Sequence, residues 1–86
     1  MTYLVVRFKP YTSDEYKIDK LSKLNIVKVD GYTGPKQFML WPGSSGFDVA
    51  VSVSGEDAIE YIRTIQLIPL VSSVIKSEFL TSLSDM

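Results

Sequence analysis

Carboxylates stand in two adjacent pairs, Asp14-Glu15 and Glu56-Asp57, with Glu60 close behind the second. Paired acids carry out general acid–base chemistry when their surroundings separate their proton affinities. Here each pair falls where a helix is expected to begin, and the positively polarised end of a helix accounts for acids there without catalysis. The chain has no histidine and no cysteine. That removes imidazole bases, thiol nucleophiles, disulfides and the usual zinc ligands together. Lysine is the base left to a serine nucleophile, and no catalytic residue is assigned. No metal site and no cofactor are expected. Gly31, Gly34, Gly43 and Gly46 lack the lysine and the following helix that a nucleotide loop needs, so turn geometry explains them.

The elements that would position these residues are short and readable. Tyr3 to Phe8 suits a buried strand, with Val5, Val6 and Phe8 on a pleated surface, and Pro10 ends it. Thr12-Ser13-Asp14-Glu15 is a capping box that opens a helix, with Tyr11 and Tyr16 spaced for a staple across it. Ile18, Leu21 and Leu24 give that helix its inner stripe, and Lys17, Lys20 and Lys23 its outer side. Ile26 to Val29 restarts a strand, Gly31 to Pro35 turns or bulges it, and Gln37 to Trp41 is apolar again. Phe47, Val49, Val51 and Val53 alternate with Asp48, Ala50 and Ser52, the clearest strand in the chain. Ser54 is placed to cap a second helix lined by Ala58, Ile59, Ile62 and Ile65. Pro69 stops it, and a last strand follows from Val71 to Phe79.

Eighty-six residues, 45% apolar and 22% charged, make one globular domain over residues 1–86, with a core at about 3–80 and a tail at 81–86. The expected fold is α+β: a ferredoxin-like βαββαβ sandwich, two helices packed on one face of a four-stranded antiparallel sheet. The other face would be bare and suited to self-association. The aromatic stretch around Phe38, Leu40 and Trp41, together with Val49 and Val51, is assigned to that oligomer interface, because Trp and Phe are favoured anchors. The apolar-rich stretch at 59–75 is broken by Arg63, Gln66 and Pro69, so no membrane span is expected. The N-terminus lacks the features of a signal peptide, which predicts a cytoplasmic location.

A net charge of −1 argues against direct nucleic-acid binding. RNA-recognition motifs share the expected element order, but Val49 and Val51 stand where a stacking aromatic is needed, and no Lys or Arg lies between Lys36 and Arg63. Acylphosphatases share it too, yet Lys9-Pro10-Tyr11-Thr12 replaces their Gly-rich, Arg-bearing phosphate loop. Enzyme activity is not expected.

Four stretches do resemble a known family. They are Tyr3-Leu4-Val5-Val6-Arg7-Phe8, Asn25-Ile26-Val27-Lys28-Val29-Asp30, Gly46-Phe47-Asp48-Val49-Ala50-Val51 and Ile68-Pro69-Leu70-Val71-Ser72-Ser73-Val74. Together they resemble the ligand-binding and dimerisation (RAM) domain of leucine-responsive/AsnC-type (Lrp/AsnC) transcription regulators, over roughly residues 3–80. With no helix-turn-helix ahead of Tyr3, the resemblance implies a stand-alone version that does not bind DNA unaided. It implies an amino-acid or similar effector held between subunits, at Gly34, Gly46, Phe47 and Asp48. It also implies self-association into a dimer or larger ring, and a DNA-binding relative as partner. The alternative expectation is a ligand-free assembly subunit. In the family, glycine is common at the position of Leu70.

Overall fold

A seven-residue strand with most of its side chains buried lies at residues 2–8. Strand β1 (Thr2–Phe8) sends Leu4, Val6 and Phe8 fully into the interior. It pairs antiparallel with β4 (Asp48–Val53), Leu4 opposite Val51 and Val6 opposite Val49, and on its other side with β5 (Val71–Ser77). Helices α1 (Asp14–Ser22) and α2 (Ala58–Gln66) add Leu21, Ala58 and Ile65 to the same core. A computed structural model describes residues 2–40 and 48–77, and among these no helix is long and apolar enough to cross a membrane. The proposed tail at 81–86 lies outside the described residues.

The four-stranded antiparallel sheet expected from the sequence is not what forms. The sheet has five strands in the order β2-β3-β4-β1-β5 and is mixed, because β2 (Val27–Lys28) runs parallel to β3 (Gln37–Leu40). The element order is therefore βαβββαβ. The reason lies in residues 29–36, which sequence periodicity treats as an irregularity within one strand. Gln37 ties the loop off: its Oε1 accepts from the amides of Thr33 (2.9 Å) and Gly34 (3.3 Å), and its Nε2 donates to Thr33 Oγ1 (2.9 Å). Lys36 then adopts a left-handed φ of 63°. The chain loops out and returns beside itself, with the Val27 and Val29 amides donating to the Lys36 and Phe38 carbonyls at 2.9 Å each.

That loop also covers the sheet face that was expected to be bare. Ala50 and Ser52 point away from the helices yet are fully buried, and Val5 is nearly so. Tyr32 lies across them, its hydroxyl donating to the Ala50 carbonyl (2.9 Å) and its ring tilted against Tyr3 at 5.3 Å. Ser52 Oγ donates to the Gly34 carbonyl at 2.9 Å. Burial, with Tyr3 as a lesser cause, raises the Tyr32 phenol above its ordinary value. A phenol whose affinity for its proton is higher when folded contributes stability that is complete below about pH 10 and lost as pH rises beyond it. Alkaline unfolding should therefore steepen above about pH 10, and Tyr32→Phe should flatten that slope while costing about 1 kcal/mol at neutral pH. Urea melts at several pH values check both effects.

The helix starts fall later than their sequence signals. Ser13 caps α1 by accepting from the Tyr16 amide (3.2 Å), whereas Thr12 Oγ1 donates backward to the Lys9 carbonyl (2.7 Å). Ser54 and Asp57 close a turn of their own, Oγ to Oδ2 at 2.9 Å, so α2 begins only at Ala58. Lys17, expected outside, is buried, and its ammonium reaches Asp14 at 3.3 Å: the long stem is covered while its head finds a charged partner. Ile59, expected inside with Ala58, Ile62 and Ile65, is exposed, because it stands about 100° around the helix from Ala58 and so leaves the stripe that the other three share.

Candidate functional site

Where α1 ends, its last turn is closed by the Leu24 and Asn25 amides donating to the Leu21 and Ser22 carbonyls at 3.0 Å each. Asn25 takes a left-handed φ of 62°, a conformation that asparagine tolerates well at a helix C-terminus. Lys23, Leu24 and Asn25 thereby form one wall of a surface groove of about 400 Å³. The opposite wall is Asp57, the N-cap of α2, with Glu60, Tyr61 and Thr64 of that helix, which share a face by their three- and four-residue spacing. Lys36, at the entrance to β3, completes the lining.

The charges of this groove are arranged by sign. Lys23 and Lys36 come from the basic first half of the chain, Asp57 and Glu60 from the acidic second half. Lys23 holds Asp19 at 3.2 Å in a surface pair with both partners more than half exposed. Such a pair contributes little and is readily exchanged. Asp57 keeps one oxygen on Ser54, and Thr64 turns its hydroxyl to the Glu60 carbonyl (2.9 Å). Among the described residues, neither the Lys36 ammonium nor the Glu60 carboxylate has an ion-pair partner. Leu24 and the half-buried Tyr61 supply the apolar surface between them.

Lys36 is the unusual member. A left-handed backbone costs a residue with a Cβ about 1–2 kcal/mol, and here nothing in its own side chain offsets that. Its backbone is fixed from both sides, the amide donating to the Ser52 carbonyl (2.7 Å) and the carbonyl accepting from Val27 (2.9 Å). Strain held in place by its surroundings clusters at ligand sites.

The residues expected from the sequence to hold a ligand are not gathered in this groove. Gly34 lies two residues before Lys36, bonded to Ser52 and Gln37. Asp48 opens β4 opposite Arg7, four residues along the strand from Ser52 and thus roughly 13 Å away. Gly46 and Phe47 lie outside the described residues. Of the expected interface residues, Phe38, Val49 and Val51 are fully buried in the protomer's own core, Leu40 is half-buried, and Trp41 lies outside the described residues. Ser73 and Lys76 have the Ser-x-x-Lys spacing, but three residues apart on β5 their side chains leave opposite faces of the sheet, so they form no dyad. Among the described residues, no group of three or more acids could hold a metal ion.

Sequence reasoning assigned Asp57 and Glu60 to the start of a helix and Lys23 to a solvated face, and did not single out Asn25, Lys36 or Tyr61 as site residues. The repeat at 57, 60, 61 and 64 was the available signal on α2. Lys36 had none, because its place depends on the loop that reverses β2 into β3. No family model matches the chain, and neither the curated proteins nor the solved structures compared with it give a match.

Proposed function

We propose that this domain is a binding module for a small zwitterion, an α-amino acid or close analogue, held in the groove between the end of α1 and the flank of α2. The observation that carries the reading is the Lys36 ammonium and the Glu60 carboxylate, without ion-pair partners among the described residues, in one groove about 400 Å³ in volume. In the bound state Lys36, with Lys23 beside it, faces the ligand carboxylate, and Glu60 and Asp57 face its ammonium. Leu24 and Tyr61 take the side chain. Charge-assisted hydrogen bonds of this kind contribute more than neutral ones, and opposed signs fix the orientation of the ligand. The groove is open and its charges are exposed, so affinity falls in the micromolar-to-millimolar range suited to sensing a metabolite.

Among the described residues that line it, the groove carries no nucleophile–base pair, which supports binding over catalysis. Amino-acid binding is also what the resemblance to Lrp/AsnC effector domains implies, although the site proposed here is a different one. On that reading the domain is cytoplasmic and passes its ligand state to a DNA-binding partner. The test is a melting-temperature panel, since a ligand bound only by the folded state stabilises it by mass action. Neutral amino acids should raise the melting temperature, and matched amines and carboxylic acids that lack one of the two charges should not. Equal effects from all three classes would show that the opposed charges do not select the ligand.

A further inference from the structure

A serine in the middle of a buried strand calls for a reason. Ser52 stands between Val51 and Val53 on β4, where a β-branched apolar residue suits the pleated surface better. It is fully buried, and a hydroxyl taken out of water costs free energy unless it is hydrogen-bonded.

Its bonds converge on one short stretch of chain. Ser52 Oγ donates its single proton to the Gly34 carbonyl at 2.9 Å and shares it with the Gln37 carbonyl at 3.2 Å. The Ser52 carbonyl accepts from the Lys36 amide at 2.7 Å. One residue of β4 thus fastens the chain at 34, 36 and 37, on both sides of the residue with the left-handed φ of 63°. Ser52 itself does not line the α1–α2 groove. Its side chain lies on the other face of the sheet, beside Ala50 and under Tyr32.

We infer that Ser52 is the positioning residue for Lys36, and that its hydroxyl raises the affinity of the groove from the opposite face of the sheet. The inference rests on the zwitterion reading of that groove. Without the hydroxyl, residues 34 to 37 are free to let Lys36 relax toward the backbone regions that a residue with a Cβ prefers. The ammonium then faces the ligand carboxylate in only a fraction of molecules, and the apparent affinity falls by that fraction. Strain of the size held at Lys36 corresponds to about 5- to 30-fold in population. The bond from the Lys36 amide to the Ser52 carbonyl survives loss of the side chain, which keeps the effect toward the lower part of that range.

Ser52→Ala removes the hydroxyl and leaves every residue of the groove in place. Amide hydrogen exchange should be about tenfold faster at Lys36 in the variant. It should be unchanged at Lys9, whose amide donates to the Leu70 carbonyl at the other end of β1 from Tyr3, the partner of Ser52. Titration with alanine, followed on the amide signals of Lys23, Asn25 and Glu60, should give a dissociation constant about 3- to 10-fold above the parent's. A merely structural role would speed exchange at both amides and leave the dissociation constant of the folded protein unchanged. The parent gives a second reading that needs no variant: saturating alanine should slow exchange of the Lys36 amide further. Unchanged exchange at Lys36, or equal affinity for alanine in the two proteins, would overturn the inference and leave the groove reading standing. No saturable binding of alanine by the parent would overturn both.

Discussion

Phe38→Ala should remove a large share of the folding stability of this domain. Phe38 is fully buried in the interior, on β3 opposite Val51, and lies in one cluster with Leu4, Val6 and Ile26. Truncating a buried phenylalanine costs about 3–5 kcal/mol, from the lost transfer energy and the cavity left behind. A chain of this length has a total stability of roughly 4–13 kcal/mol. The variant would therefore lose from about a quarter to all of its margin, read as a fall of the urea midpoint by that fraction or, at the low end of the range, as loss of the cooperative transition. An interface residue would behave otherwise: the monomer would keep its transition, and only the association state would change. Phe38→Leu, which restores much of the volume, should recover most of the loss.

Lys36→Gly should separate binding from stability in opposite directions. Glycine adopts the left-handed backbone of residue 36 without a Cβ penalty. Both backbone hydrogen bonds of that residue remain available. The variant should gain about 1 kcal/mol, a rise of about 4–8 °C in melting temperature for a domain of this size. At the same time it loses the cation assigned to the ligand carboxylate, whose hydrogen bond contributes about 1.5–3 kcal/mol, a weakening of roughly 10- to 100-fold. Calorimetric titration beside a thermal melt reads both quantities on the same sample. Stabilisation with unchanged binding would remove Lys36 from the site; destabilisation would show that its side chain, not its backbone, holds the loop.

Much of the core was legible because its signals are local. Alternation in Val49, Val51 and Val53 and the apolar run from Leu4 to Phe8 place those residues on one buried face, and both helices lie where periodicity put them. The misses have a common cause in side chains that act across short distances with more than one partner available. Thr12 and Ser13 are equally good caps by type, and the backward bond from Thr12 to Lys9 decides between them. Ser54 has cap chemistry but gives its hydroxyl to Asp57. The larger error, one strand in place of two, follows from Gln37, whose three bonds to Thr33 and Gly34 shape the loop at 33–37. No periodicity encodes that. The unequal charge of the two halves was visible from composition, whereas the placement of Lys36 in one groove with Glu60 and Asp57 required the loop.

The central claim is that opposed charges in the α1–α2 groove select a zwitterion. The most direct test is an amide chemical-shift titration of the isotope-labelled protein with alanine, set beside ethylamine and propionate at matched ionic strength. Alanine should move the signals of Lys23, Asn25, Lys36, Glu60 and Tyr61 along a saturating curve by about 10 mM, and neither single-charge analogue should saturate them. Shifts confined to other parts of the domain, or no saturating shift from any amino acid across a full panel, would contradict the account.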